Sequence, residues 1–275
     1  MPPASPSIRY YRFHGRLAQF RQFEVGPAHW DERWSGSLLK QRLAANGNGN
    51  LGEFTELFTR YLPKDMPVLE AGCGPAHLVK ALANRGYRVE GVDYGEQTVS
   101  AVRSIAPELQ VRLGDVYNLD VDDQHYGGYI SIGVFEHDPG GPLKGLRETA
   151  RVLSRHGFAL LSVPFLNQER RRWLEKVPEA TEPELSNGLK FYQYYFSPEE
   201  MESHIRGAGL EVVESYPYSV EAGLMRDFTF LHWLQSKRRG MWRLRRPFNR
   251  LCAHSPLWMR WRLAHMIMFV CRRGS

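Results

Sequence analysis

The sequence predicts an α/β fold built on a doubly wound, mostly parallel sheet. Three observations carry that reading. Val68 to Asp93 reads as strand, glycine turn, helix and strand. Beyond it, apolar runs of strand length alternate with helical periodicity as far as Tyr218. Acids stand at three successive strand ends, Glu70, Asp93 and Asp115. A parallel βαβ unit places such ends on one edge, where ligands bind.

Residues 1–49 are expected to form an arm or lid before the core. They are proline-rich at first, then basic and aromatic from Arg9 to His14, and read as a loosely ordered arm folding over the site. Trp30 and Trp34 lie four apart and share one face of a helix. They are candidate substrate contacts as a lid; the plainer alternative, usual for aromatic stripes, is docking of a helix on the core. Asn46 to Asn50 is a breaker. Phe54, Leu57, Phe58, Tyr61 and Leu62 then mark an amphipathic helix that Pro63 ends.

The central stretch has its own chemistry. Val68-Leu69 closes on Glu70, and Gly72-Cys73-Gly74 forms a tight turn. Leu78 and Leu82 mark a helix ended by Gly86, and a second apolar run ends in Asp93. Glycines let backbone approach a ligand closely, and the carboxylate of Asp93 suits a ribose diol. A dinucleotide fold would carry a third glycine where His77 stands. The pattern Glu70-x-Gly72-x-Gly74 instead resembles the first motif of class I S-adenosylmethionine (SAM)-dependent methyltransferases. SAM has no pyrophosphate, and its cationic groups tolerate a nearby carboxylate. An unrelated structural glycine turn is the plain alternative. Pro75-Ala76-His77 departs from the family pattern, although proline suits a helix start.

The chain continues with a helix from Gly95 to Ile105 and a strand from Leu109 to Leu113, followed by Asp115 and Val116. A further strand, Tyr129 to Gly133, leads into Gly133-Val134-Phe135-Glu136-His137-Asp138. Leu143, Leu146, Ala150 and Leu153 mark a helix, and Phe158 to Val163 a strand. The segment from Gly133 to Pro164 resembles the small-molecule methyltransferases of the quinone-biosynthesis type, in which the histidine of this loop faces the substrate. His137 is therefore the candidate base, with loop anchoring as the alternative. The resemblance implies roles for the other positions. Gly72 and Gly74 would admit the methionine end of SAM, with Glu70 and Cys73 in the same loop, Cys73 as a small filler. Asp93 would bind the ribose hydroxyls beside Tyr94. Asp115, with Val116, would meet the adenine, unless Asp115 only caps its turn. The Gly133 carbonyl would take the methionine ammonium. The product would be S-adenosylhomocysteine.

The same segment lacks the Asp/Asn-Pro-Pro-aromatic run of base-amine methyltransferases and the Pro-Cys pair of cytosine-carbon enzymes. Asp138 is a lone acid, so no metal site is expected. Residues 165–195 form an insertion with a basic run at 169–172 and an aromatic run from Phe191 to Phe196. By resemblance Tyr192 and Tyr195 are candidate pocket residues; the alternation also suits an ordinary half-buried strand. Ser197-Pro198-Glu199-Glu200 opens a helix, and Leu210 to Tyr218 forms a strand. The family's sheet has seven strands, the last antiparallel. His265 to Cys271 is the candidate, which fixes the core as residues 50–218 plus a terminal strand at 264–275. Residues 219–263 become a helical insertion, with helices expected over Met225 to Lys237 and Met241 to Leu251.

Composition bounds the rest. The chain has 275 residues, 43% of them hydrophobic, with a net charge of +6. Residues 228–275 hold eleven Lys or Arg and no acid, leaving 25 basic and 30 acidic residues in the first 227. Four of the seven tryptophans lie in the insertion. Such a basic, tryptophan-rich segment suits peripheral contact with a membrane or anionic substrate through residues 228–263, or else a cap with solvated arginines. Three scattered cysteines and no signal pattern point to a cytoplasmic protein. The expected activity is methyl transfer from SAM to a small-molecule acceptor, at oxygen, on a secondary-metabolite, quinone, glycan or lipid-linked substrate. The alternatives are an RNA methyltransferase using the basic insertion, although nucleic acid is not the expected partner, and a non-catalytic SAM-binding protein. An NAD-dependent dehydrogenase stands further off.

Overall fold

The computed structural model describes residues 8–23, 25–45, 49–180, 188–228, 248, 251–252 and 254–274. The strands are β1 (Ile8–Phe13), β2 (Arg16–Arg21), β3 (Val68–Ala71), β4 (Val89–Asp93), β5 (Gln110–Leu113), β6 (Tyr126–Ile132), β7 (Leu153–Pro164), β8 (Lys190–Tyr195), β9 (Leu210–Tyr218) and β10 (Met266–Arg273). The described α-helices are α1 (Pro27–Arg33), α2 (Gly36–Ala45), α3 (Thr55–Tyr61), α4 (His77–Ala83), α5 (Glu96–Ile105), α6 (Leu143–Val152), α7 (Gln168–Leu174), α8 (Pro198–Gly207), α9 (Val220–Asp227) and α10 (Leu257–Leu263).

Seven strands form one sheet in the order β5-β4-β3-β6-β7-β10-β9. The pairs among β3 to β7 are parallel, and β10 runs antiparallel between β7 and β9. Side-chain alternation explains why both faces need cover. Ile267, Phe269 and Cys271 of β10 pack with Leu161, Val163 and Leu146 on one face. Met268 and Val270 pack with Leu160, Ile130 and Val79 on the other. Strand order reverses between β3 and β6, so the ends of β3, β4 and β6 open onto the crevice where such sheets bind ligands.

A second, antiparallel sheet of β1, β2 and β8 corrects the expectation of a loosely ordered start to the arm. Its interior is aromatic: Phe13, Phe20, Phe191 and Tyr194 pack with ring centroids 4.6–6.2 Å apart. The arm strands could not hold themselves; they need the aromatic strand β8, distant in sequence. The β2–β8 register shifts between Gln19 and Phe20, whose partners are Gln193 and Phe191. Tyr192 is the extra residue, and such a bulge re-aims its side chain.

The insertion between β9 and β10 is fastened by a buried polar cluster. Arg170, 1% exposed, bonds Asp227 through Nε and Nη2 at 3.0 and 2.8 Å and also reaches the His265 ring. Arg170 is thus a buried anchor within the basic run. The first insertion helix starts at Val220, earlier than expected. Most of Met241 to Leu251, expected as a helix, and Trp233 and Trp242 fall outside the described residues. No helix among the described residues is long and apolar enough to cross a membrane.

Candidate cofactor and acceptor site

The glycine turn after β3 is folded against β4 and the β6 loop. Both Gly72 and Cys73 donate their amides to the Val92 carbonyl, at 2.7 and 3.0 Å. Gly72 has φ +77°, and a Cβ there would lie 2.4 Å from Val134 Cγ2. Gly74 has φ +46°, and its Cβ would lie 3.0 Å from the Trp34 indole nitrogen. The turn tolerates glycine alone at both points, for conformation and for space. Asp93, 6% exposed, ties the turn to its own strand end. Its Oδ2 accepts from Gly74 N at 2.8 Å and its Oδ1 from Gly95 N at 2.9 Å. Each carboxylate oxygen keeps a second lone pair for a ligand hydroxyl. Burial raises the Asp93 carboxyl above its ordinary range, and the two amides pull it back. Glu70 is buried and caps α4 from a distance, accepting from Val79 N at 3.0 Å. Burial pushes its carboxyl up to about 8. Cys73 is buried too, and burial raises its thiol, which makes it filler rather than nucleophile.

A cavity of about 700 Å³ lies over these strand ends. Its lining brings together Glu70, Gly72, Cys73, Gly74, Asp93, Tyr94, Asp115, Val116, Gly133, His137, Trp30 and Trp34. Asp115 both lines the cavity and caps its turn, accepting from Tyr117 N at 2.8 Å. The roof is α1, which is latched to α5 through one side chain. Asp31 accepts from Thr98 N at 2.8 Å, Thr98 Oγ1 at 2.7 Å and Gln97 N at 3.3 Å. It supplies the N-terminal amides of α5 with the partner that Gly95, at the N-cap, cannot offer.

His137 closes the cavity opposite the glycine turn. Its Nδ1 lies 2.6 Å from the Tyr192 carbonyl oxygen, which can only accept. Nδ1 therefore carries the proton, and Nε2 presents a lone pair. Trp30 and Tyr192 each meet the imidazole edge-on at 5.0 Å. Burial lowers His137 to about 4, with Arg21, His29 and Arg33 adding to the effect. The neighbouring Glu136 has Oε1 at 3.9 Å from Nε2. Its Oε2 is buried without a partner, and burial pushes the carboxyl up to about 8.

Known proteins resemble this chain in sequence and in fold. Residues 68–157 match the family model described as a methyltransferase domain. The match places a methyltransferase domain over those residues. A ubiquinone biosynthesis O-methyltransferase from Marinobacter nauticus is 30% identical over 155 residues, covering 53% of this chain and 64% of that protein. A probable S-adenosylmethionine-dependent methyltransferase from Mycolicibacterium smegmatis is 35% identical over 97 residues, covering 35% of this chain and 37% of that protein. The chain thus spans less than two thirds of either relative. Among solved structures, a SAM-dependent methyltransferase from Methanosarcina mazei matches with a TM-score of 0.54 at 13% identity, covering 79% of this chain and 97% of that one. That likeness shares the fold.

SAM is the cofactor of this methyltransferase domain, and the residues present fit it. The glycine turn admits backbone approach, and acids stand at three strand ends around an otherwise largely apolar cavity. Two expected contacts lie elsewhere. Tyr195 is corrected: it is 2% exposed, with its hydroxyl bonded to Gln19 and its ring against Tyr10 and Arg170, away from the cavity. Tyr192 stands behind His137, which its carbonyl orients, and does not line the cavity. Pro75 precedes the helix rather than opening it, since Ala76 is the N-cap, with φ +54°. Sequence reasoning missed Asp31, Tyr117 and Pro139, the last two in the lining. Asp31 bonds a helix 66 residues away, so no local pattern marks it.

Proposed function

We propose that the protein is a SAM-dependent O-methyltransferase acting on a small-molecule hydroxyl, with His137 as general base. The observation that carries this is the single cavity joining the glycine turn and Asp93 to the lone pair of His137 Nε2. Bound SAM supplies an activated methyl group. The chain's own residues then have three tasks. Asp93, Asp115 and the glycine turn hold the cofactor, and Gly133 offers a backbone carbonyl at the cavity wall. Trp30 and Trp34 exclude water from above and press the acceptor toward the methyl group; such positioning is the main source of rate for an activated donor. His137 Nε2 takes the hydroxyl proton as the new bond forms. Its neutral state at pH 7 follows from its lowered pKa. The named activity of the Marinobacter relative, O-methylation in ubiquinone biosynthesis, supports oxygen as the methylated atom.

The test is release of S-adenosylhomocysteine from a panel of phenols, catechols and hydroxylated lipids. Turnover that disappears in Asp93→Ala and drops sharply in His137→Gln is expected. Turnover on amines alone, indifferent to His137, would overturn the assignment to oxygen.

A further inference from the structure

The cationic surroundings of His137 are not used by methyl transfer itself. Arg21, at the end of β2, lies with Cζ 3.4 Å from the centroid of the Tyr192 ring, whose edge meets His137. Arg33, at the end of α1, has Cζ 5.8 and 5.2 Å from the rings of Trp30 and Trp34, the two roof residues. His29 stands between them, its ring 5.1 Å from Trp30 and 6.4 Å from Tyr192, with a buried Nε2 that has no partner. Two separate elements, β2 and α1, thus bring arginines onto the aromatic frame of one histidine.

Among the described residues, these arginines lack the carboxylate partner that several others have. Arg12, Arg16, Arg60, Arg151, Arg170 and Arg272 are each ion-paired. Among the described residues no acid lies within ion-pair distance of Arg21 or Arg33. The polar partner of Arg21 is neutral: the Gln19 carboxamide, turned so that its oxygen accepts from Nε and Nη2 at 3.0 and 3.1 Å. Burial lowers Arg21 from its ordinary value, and Arg226 on α9 and Arg33 push the same way. Among the described residues, Glu32 is the carboxylate that acts on His29. Half-burying the Arg21 guanidinium near the exposed Arg33 without a counter-ion costs stability, and the cost is offset when an anion binds. Arginine forks match carboxylate and phosphate oxygens, and stacking on an aromatic ring holds the fork flat.

We propose that Arg21 and Arg33 recognise a carboxylate or phosphate on the acceptor, held beside the hydroxyl that His137 deprotonates. This deepens the proposed function and rests on it. The acceptor is then a hydroxylated acid or phosphate ester rather than a neutral quinol. An anion there also offsets the positive field on His137, so the acceptor's own charge makes the base stronger.

The test uses simple probes by calorimetry, with and without saturating S-adenosylhomocysteine. Benzoate, phenyl phosphate and neutral benzamide are titrated into wild type, the Arg21→Gln/Arg33→Gln double variant, and Arg147→Gln as an exposed control. Wild type and control are expected to bind the anions at least ~10-fold tighter than benzamide, and the double variant with no preference. Tighter phenyl phosphate assigns phosphate; tighter benzoate assigns carboxylate. Anions binding no better than benzamide, no anion binding at all, or a preference that survives in the double variant overturns the inference. Failure of S-adenosylhomocysteine to bind wild type instead removes the proposed function, and the cofactor-free titrations still decide the anion site.

Discussion

Replacing Glu70 with glutamine removes a proton that the folded chain holds and the unfolded chain gives up. Burial raises this carboxyl to about 8, against ~4.3 for an exposed glutamate. Between those values the folded protein is protonated and the unfolded chain is ionised. The stability from the neutral buried carboxyl is therefore complete at the low end and falls as pH rises toward about 8. At ~1.36 kcal/mol per unit, the loss across the window is on the order of 5 kcal/mol. Glutamine can still accept from Val79 N, and it does not titrate. His77 and His137, each lowered by burial to about 4, slope the other way. Their contribution is lost as pH falls from ~6.5 toward their lowered values. They are common to both proteins and cancel in the difference. Urea unfolding of cofactor-free wild type and Glu70→Gln, at intervals from pH 5 to 8, reads the effect. The stability of wild type relative to the variant is expected to fall by several kcal/mol over that range. Parallel curves would refute the claim that Glu70 is held neutral by burial. Glu70 also lines the cofactor cavity. Cationic SAM should draw its proton off, so the heat of SAM binding near pH 7 should depend on buffer in wild type and much less in Glu70→Gln.

Other perturbations separate the roles of neighbouring residues. His137→Gln should lower kcat by ~10²–10⁴ while leaving SAM affinity in place, read by steady-state kinetics beside direct binding. Asp31→Ala should unlatch the roof, costing ~1–2 kcal/mol of stability and weakening SAM and acceptor together; unchanged KM values would show that α1 is held some other way. Asp227→Ala leaves the Arg170 guanidinium buried without its carboxylate and should cost ~3–5 kcal/mol in chemical denaturation. The apolar pair Arg170→Met/Asp227→Leu should recover much of that loss.

Most of the central sheet was legible because its signals are local. Glu70, Asp93 and Asp115 announce strand ends within a few residues of each apolar run. The terminal strand at Met266 to Arg273 followed from the need for a seventh, antiparallel strand. Boundaries were less legible where packing overrides local pattern. The strand expected from Tyr129 starts at Tyr126, and Gly127 and Gly128 extend β6 because Met66, Pro63 and Leu62 press where side chains would stand. Gly157 likewise lies inside the twelve-residue β7 rather than before it. The β1–β2 hairpin was hidden because its stability comes from β8, over 160 residues away. Around the candidate site, the residues grouped by motif fall on one cavity. Those that depend on distant pairing, Asp31 on α5 and Arg21 on Tyr192, do not stand out in sequence. Tyr195 was misplaced for the same reason: the bulge at Tyr192 decides which way each aromatic of that strand points.

The most direct test is calorimetry of SAM and S-adenosylhomocysteine with wild type and Asp93→Ala, each first shown to be folded and free of carried-over ligand. Both ligands should bind wild type saturably. Removing a carboxylate placed to bond two ligand hydroxyls should weaken each by ~10²-fold or more. Absence of binding to folded wild type, or equal affinity in Asp93→Ala, would contradict the assignment of this cavity to SAM.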